Sequence, residues 1–324
     1  MSNLAPVAIV VSTFEEGPEL RATVESVLAA ELIPREIILV DDGSTDRSCD
    51  GGWPARVSLI RQPHTGIALA RNAGARAATQ PALIFLDAHC AVDRRWLRPL
   101  IDRLDKAPDA LLGPAVLDAR DPGYVGSGAQ IVDPLFTYRW CPVRGDSVVE
   151  VGVVPGGCMA MQRDRFFEQG GFAAFEEFGV EDVEICLRWW RAGYPLLSVP
   201  SSVVSHRFRT TTPYPPHYRA WLQNVLRTAL LHLRGDLLRR CVVACSQFAP
   251  FNAAIATALS ELWNPREQSL LRRQVRDTET YFERWSPYAF GRMAHHSAGL
   301  TPPVICAPQE LPSGSSTCRA RSHH

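Results

Sequence analysis

The 324-residue chain is 46% hydrophobic and 21% charged, which is ordinary for a globular protein and sufficient for one large α/β domain or two smaller ones. The formal net charge is zero, which implies no general electrostatic attraction to nucleic acid or to an anionic membrane. The nine cysteines include no C-x-x-C pair, and their odd number favours reduced thiols over a disulfide framework or a zinc cluster.

The amino terminus has no charged and apolar regions of the kind found in a leader peptide, because the first apolar run begins at Val7 and has the pattern of a strand. We therefore expect a cytoplasmic protein. Only residues 241–259 resemble a membrane span, and Gln247, Pro250 and Asn252 interrupt them, which favours two buried helices. No transmembrane segment is predicted, and a peripheral membrane contact stays open.

The first part of the chain alternates strands with helices. Strands are predicted at 7–11, 37–40, 57–60 and 83–86, and helices at 19–30, 66–78 and 94–104, the last with Asp93 as its cap. The alternation predicts an α/β fold with a mostly parallel sheet and helices on both faces.

From Ala110 the predicted elements become shorter and less regular. Strands are predicted at 115–117, 148–154 and 196–199, helices at 163–169 and 179–191, and a loop-rich segment at 121–146. Pro155-Gly156-Gly157-Cys158 is a turn that allows close backbone approach. Two or three further helices are expected between 217 and 285, and the Pro-, Ser- and Gly-rich end after Pro302 is expected to be disordered.

Three polar clusters follow predicted strands, at 13–15, 41–46 and 87–89. Since ligands bind at the carboxyl ends of the strands of parallel sheets, the clusters together predict a nucleotide or another polar ligand, although each alone is also ordinary turn chemistry. Strand alternation would turn Asp87 and His89 to the same side, where one metal ion could bridge them. No Gly-x-Gly-x-x-Gly or Gly-Lys-Ser/Thr motif is present, which argues against a dinucleotide dehydrogenase and a P-loop enzyme.

The chain resembles the glycosyltransferases of family 2, which use a GT-A fold and nucleotide-sugar donors. The matching segments are Val11 to Glu15, Val40 to Asp46, Ala70-Arg71-Asn72-Ala73-Gly74, Asp87 and Glu181-Asp182, in the family's order. The resemblance implies a GT-A catalytic domain at 1–212, with a nucleotide-binding part at about 5–109 and an acceptor part at about 110–212. A helical extension at 213–295 and a disordered tail at 296–324 would follow.

Other segments are similar to those of polypeptide N-acetylgalactosaminyltransferases, which hold manganese with an Asp-x-His motif and a later histidine. They are Asp87-Ala88-His89-Cys90, Gly156-Gly157 and His206-Arg207-Phe208-Arg209. The implied metal ligands are Asp87, His89 and His206, and their mixed nitrogen and oxygen atoms favour Mn²⁺. The alternative is that His89 caps a turn and His206 is an ordinary buried histidine.

The resemblance also implies a donor site. Asp41 and Asp42 would bind the nucleoside, Thr13 and Glu15 would line the base pocket, and Arg71 would approach the diphosphate or the base. Asp87, Gly156 and Gly157 would complete the site. Alternatively, the two aspartates are turn formers and Arg71 is a surface arginine.

Asp182 is the candidate general base, because the start of a helix favours its ionised form. Glu181 would position the acceptor, Glu184 is a further candidate for the base, and a merely stabilising role for Asp182 stays open. The pair Glu181-Asp182 is similar to inverting family 2 enzymes, whereas the N-acetylgalactosaminyltransferases have Glu-Asn. Residues 210–218 form either a lid over the donor or a plain linker.

We therefore predict a metal-dependent hexosyltransferase or N-acetylhexosaminyltransferase that uses a UDP-sugar with inversion. Its acceptor would be a peptide, a glycan or a small molecule, and no nucleic-acid partner is expected. One alternative is a retaining enzyme like the N-acetylgalactosaminyltransferases, and another is a noncatalytic protein that binds a nucleotide sugar.

Overall fold

The computed structural model describes residues 4–286, apart from 122, 124, 210–216 and 263, and also residue 289. The strands are β1 (Leu4–Thr13), β2 (Ile33–Asp41), β3 (Val57–Arg61), β4 (Ala82–Leu86), β5 (Cys90–Val92), β6 (Leu111–Asp118), β7 (Val125–Ile131), β8 (Tyr138–Pro142), β9 (Val149–Glu150), β10 (Cys158–Gln162) and β11 (Leu196–His206). The helices are α1 (Glu19–Leu28), α2 (Ile67–Ala77), α3 (Leu97–Lys106), α4 (Arg163–Glu168), α5 (Glu181–Arg191), α6 (Tyr218–His232), α7 (Gly235–Cys245), α8 (Phe251–Glu261), α9 (Pro265–Leu271) and α10 (Thr278–Trp285).

One mixed sheet runs through the molecule in the order β3-β2-β1-β4-β10-β6-β11-β5. The first four strands in this order are parallel, as the alternating pattern predicted. β10 then runs antiparallel to β4, and β11 runs parallel to β6 and antiparallel to β5. Consequently β10 begins, and β11 ends, at the edge where β1, β2 and β4 end.

Each face of the sheet carries its own hydrophobic core. Along β1, Val7, Ile9 and Val11 pack towards α1 and α3, while Ala8 and Val10 pack towards α2. α2 lies very close to β1, because a Cβ on Gly74 would stand 2.3 Å from a methyl group of Val10. This close packing sets the height of α2, and with it Arg71, over the sheet.

The C-terminal helices pack into the core on the α2 face of the sheet. Residues of α6, α7, α8 and α10 are buried in the same cluster as α5 and the α2 face of the sheet. Buried Glu184 of α5 accepts hydrogen bonds from Arg188 and from His232 of α6, at 2.9 Å for the His232 Nε2 atom. Burial alone would raise the pKa of Glu184, but Arg188 and His232 hold it well below its usual range. A buried hydrogen bond therefore joins α6 to α5, in addition to the apolar contacts of the shared core.

Several predicted elements differ in the structure. α3 begins at Leu97, because Asp93 accepts the N–H of Arg95 within a turn and does not cap the helix directly. The predicted loop at 121–146 contains the hairpin of β7 and β8, and the predicted strand at 148–154 is reduced to β9 and one bridge at Val153. β9 pairs with β11 and Val153 bridges to Ala129 of β7, and local periodicity does not reveal such pairings between distant segments.

The C-terminal region contains more helices than expected. Five helices follow β11 in the described part of the chain, where two or three were predicted. Residues 241–259 do form parts of two helices, α7 and α8, with a break between them. No helix among the described residues has both the length and the apolar character needed to cross a bilayer. The predicted domain boundary at 212/213, most of the predicted lid and the predicted disordered tail lie outside the described residues.

The predicted reduced thiols are consistent with the structure. All seven cysteines in the described ranges are free, and most are buried.

Candidate functional site

A cleft of about 430 Å³ lies at the sheet edge where β1, β2 and β4 end. It is lined by residues from both halves of the chain. Ten of the twelve predicted site residues take part in the lining, namely Thr13, Asp42, Arg71, Asp87, His89, Gly156, Gly157, Glu181, Asp182 and His206. The two others, Glu15 and Asp41, face neighbouring loops.

The possible metal ligands Asp87, His89 and His206 lie together in this cleft. One ligand atom from each can be chosen so that all three lie within 4.8 Å of one another. His206 approaches because β11 pairs with β5 in a register that sets His206 opposite Cys90. Asp87 and His89 lie in the turn between β4 and β5, so the turn brings them together and strand alternation does not.

The protonation states of the cluster suit a cation. Burial opposes ionisation of Asp87, but the hydrogen bond from His206 and the charge of Arg71 outweigh it and hold the pKa of Asp87 well below its usual range. Burial lowers the pKa of His206, which favours the neutral imidazole that metals bind. One carboxylate and two imidazoles form a donor set suited to Mn²⁺ or to a later transition metal.

Arg71 is buried at the centre of the site, with 1% of its surface exposed. Its Nη2 atom donates to Asp87 Oδ1 and to the carbonyl of Gly156, both at 2.8 Å, and its Nη1 atom donates to Glu181 Oε1 at 3.1 Å. Its burial excludes the alternative of a surface arginine, and because Arg71 also lines the cleft, its approach to the donor stays a prediction. The structure gives Arg71 the role of joining the two halves of the site.

Asp182 holds the Gly156–Gly157 turn. Its Oδ2 atom accepts the N–H of Gly156 at 2.9 Å and the hydroxyl of Tyr138 at 3.0 Å, and Oδ1 accepts the N–H of Val183 at 2.8 Å. Burial raises the pKa of Asp182, contrary to the expectation that the helix dipole would favour its ionised form. Desolvation therefore outweighs the hydrogen bonds from Gly156, Tyr138 and Val183 and the charge of Arg71, which all lower the pKa of Asp182.

The other acids of α5 differ from one another. Burial and the charge of Asp182 raise the pKa of Glu181 to about 7, although Arg71 opposes the shift. Glu184 does not line the cleft and is bound to Arg188 and His232, so it is not placed to act as the general base.

The Gly156–Gly157 turn lies tightly against the site. A Cβ on Gly156 would stand 3.2 Å from the Asp182 side chain, and a Cβ on Gly157 would stand 2.9 Å from the His206 ring. The predicted close backbone approach is therefore present, and it faces the metal ligands.

On the nucleotide side, Asp42 accepts the N–H groups of Thr65 and Gly66, at 3.0 and 2.8 Å, before α2. Thr13 lines the cleft, and its buried hydroxyl has no hydrogen-bond partner within the described ranges. Glu15 instead accepts the N–H of Thr45 at 2.7 Å, and Asp41 accepts the N–H of Ser44 at 2.9 Å. These two residues shape the loops behind the cleft.

Several lining residues were not identified from the sequence. His64 stacks on Phe14 with ring centroids 4.1 Å apart and contacts Glu177 at 2.9 Å. Tyr138 lies in the aromatic-rich segment for which the sequence predicts a loop, and Glu16 lies next to Glu15. Their positions depend on contacts between distant segments, and the aromatic residues in 121–146 were the only sequence signal for Tyr138.

The fold and the position of the cleft at the strand ends are those expected of a GT-A fold. The model of the glycosyl transferase family 2 matches residues 8–171, about half of the chain. The chain therefore belongs to glycosyl transferase family 2, which confirms the family prediction and identifies a glycosyltransferase.

Curated relatives share part of their length with this chain. Polypeptide N-acetylgalactosaminyltransferase 11 of Xenopus tropicalis is 32% identical over 257 residues, covering 69% of this chain and 42% of that protein. Polypeptide N-acetylgalactosaminyltransferase 4 of Caenorhabditis elegans is 29% identical over 239 residues, covering 65% of this chain and 40% of that protein. The chain thus spans about two fifths of the length of these relatives.

Solved structures confirm the predicted fold. GalNAc-T7, crystallised with UDP, GalNAc and Mn²⁺, has a TM-score of 0.70 and 23% identity, covering 86% of this chain and 56% of that one. The mannosyltransferase PcManGT of Pyrobaculum calidifontis, in complex with GDP-Man and Mn²⁺, has a TM-score of 0.50 and 18% identity, covering 87% of this chain and 81% of that one. At these identities the likeness establishes the GT-A fold.

Proposed function

We propose that this chain is a Mn²⁺-dependent enzyme that transfers an N-acetylhexosamine from a UDP-sugar to an acceptor hydroxyl with net retention of configuration. The observation that carries the proposal is the cluster of Asp87, His89 and His206 at the strand end that also carries the nucleotide-side residues. The names of the curated relatives support the N-acetylgalactosamine donor, and GalNAc-T7 provides a structural neighbour with UDP and Mn²⁺.

The donor would be held by both halves of the cleft. Asp87, His89 and His206 would bind the ion, which when present neutralises charge on the departing diphosphate. The unpartnered hydroxyl of Thr13 is available to the nucleoside. Arg71 acts through Asp87 and Glu181, because its guanidinium fixes both carboxylates and the carbonyl of Gly156.

The sequence predicted inversion, but the hydrogen bonds around Asp182 favour retention. An inverting base must present an oxygen to the acceptor hydroxyl. Here Oδ2 already accepts hydrogen bonds from Tyr138 and from the N–H of Gly156, which holds the Gly156 turn in place, and Oδ1 accepts one from Val183. We therefore propose that Asp182 positions the turn. In the alternative, Asp182 is the general base, and the anomeric configuration of the product distinguishes the two roles.

The test is a screen of UDP-GalNAc, UDP-GlcNAc and GDP-mannose with the purified chain, with and without Mn²⁺. We expect Mn²⁺-dependent release of UDP from an N-acetylhexosamine donor and no turnover with GDP-mannose. Binding of a UDP-sugar without hydrolysis or transfer would overturn the enzymatic proposal in favour of a noncatalytic binding protein.

The stereochemical course is tested separately. ¹H NMR of the first product formed from an α-linked donor should show an α-anomer. A β-anomer would restore Asp182 as the candidate base. The acceptor class and the cytoplasmic location stay predictions.

A further inference from the structure

Glu16 is a buried carboxylate beside the metal ligands that no sequence motif singled out. It lies in the loop after β1, and its side chain is 8% exposed. Its two oxygens lie 3.2 and 3.3 Å from Nδ1 of His89. Because a carboxylate only accepts hydrogen bonds, this contact requires a proton on Nδ1. The Nε2 atom of a neutral His89 then keeps its lone pair for a metal.

The surroundings of Glu16 hold its carboxylate in place. The guanidinium of Arg209 contacts both of its oxygens, and this ion pair is only slightly exposed. On either side of Glu16, Glu15 binds Thr45 and the N–H of Gly17 donates to Asp46 at 2.7 Å. Hydrogen bonds therefore hold the loop in place on both sides of Glu16.

The three metal ligands are not supported equally. Asp87 is oriented by Arg71, at 2.8 Å, and His89 is oriented by Glu16. Nδ1 of His206 is buried without a hydrogen-bond partner in the described part of the chain. Partners of this kind fix the tautomer and the ring orientation of a ligating histidine and raise its basicity. Of the two histidines, only His89 therefore has a carboxylate partner among the described residues that can orient its ring through Nδ1.

We propose that Glu16 is a positioning residue of the metal site, whose carboxylate holds the Nδ1–H tautomer of His89 and directs Nε2 towards the ion. This inference rests on the proposed function, since it requires a divalent cation at Asp87, His89 and His206. Glu16 acts through His89 and has no assigned contact with the donor.

The experiment measures Mn²⁺ binding to the full chain by the EPR signal of free Mn²⁺, without donor. Glu16→Ala should raise the Kd about 10- to 100-fold, as is typical when the partner of a ligating histidine is removed. Glu16→Gln should raise it by about threefold or more but less than Glu16→Ala, because an amide oxygen still accepts from Nδ1–H without the charge. Pulsed EPR of bound Mn²⁺ should show a weakened nitrogen coupling from one imidazole in Glu16→Ala.

Glu19→Gln is the matched control. Glu19 follows the same loop and pairs with Arg207, but it does not contact His89, so its substitution should leave the Kd unchanged. Thermal unfolding of metal-free protein checks folding, and if Glu16→Ala does not fold, Glu16→Gln decides.

The outcomes separate the two proposals. If the Glu16 variants bind Mn²⁺ with the affinity and the nitrogen couplings of the wild type, the role of Glu16 is overturned but the metal site is not. Absence of Mn²⁺ binding in the wild-type chain would overturn both proposals.

Discussion

Replacing Arg71 with Met tests how far the site depends on its central guanidinium. Arg71 makes three hydrogen bonds of 2.8 to 3.1 Å, two of them to carboxylates, and it is almost fully buried. Met matches its length without its charge. The change would leave Asp87 and Glu181 without their cation, beside the third buried acid, Asp182.

The expected loss of stability is large. Removing one partner of a buried ion pair costs about 3–5 kcal/mol, because the remaining charge is left uncompensated. We expect Arg71→Met to lower the free energy of unfolding by about this amount near pH 8. Arg76→Met is the matched control on the same helix, since Arg76 is exposed, and it should change stability by less than about 0.5 kcal/mol.

The loss should depend on pH. Since the pKa of Glu181 is raised from 4.5 to about 7, the folded state binds more protons than the unfolded state between these two values, and its stability falls as the pH rises through this range. Without Arg71 the acids would retain protons to still higher pH. Arg71→Met should therefore be less destabilised near about pH 5.5 than near about pH 8.

Urea unfolding followed by tryptophan fluorescence and circular dichroism, at both pH values, measures these differences. The reasoning would be refuted if Arg71→Met lowered the free energy of unfolding no more than Arg76→Met. It would also be refuted if the loss for Arg71→Met were larger at the lower pH. The first result would mean that the three carboxylates do not depend on Arg71, and the second that their protonation does not compensate for its removal.

Three further predictions concern the cleft. His206→Ala should abolish Mn²⁺-dependent donor binding without unfolding the protein, and calorimetry showing unchanged affinity would contradict it. Gly157→Ala should weaken Mn²⁺ binding measurably by EPR, because its Cβ would stand 2.9 Å from the His206 ring, whereas Gly52→Ala, with no atom within 4 Å, should have no effect. Asp182→Asn should lower the initial rate of turnover by no more than about tenfold, since an amide oxygen still accepts the hydrogen bond from Gly156. Loss of a general base would instead lower the rate by about 10²- to 10⁴-fold. A loss in that larger range would favour inversion.

Much of the N-terminal half was accessible from local pattern. β1, β2 and β4 are short apolar runs that end in polar residues, and their carboxyl ends do meet at one edge of the sheet. The family resemblance then indicated His206 as a third ligand. The hairpin of β7 and β8 was missed, although β7 follows β6 directly in the sequence, because Gly126 and Gly128 weaken the strand pattern of β7. Tyr138 was missed with it.

The sequence by itself determined the order of strands and helices, the polar residues at the strand ends and the family, because each depends on neighbouring residues or on motifs. The tertiary structure alone decided what these side chains do. Arg71 meets Glu181 across 110 residues, and Glu16 meets His89 across 73. Such contacts depend on strand register and helix packing, which arise from the whole core. They place Arg71 at the centre of a buried network and give His89 its carboxylate partner.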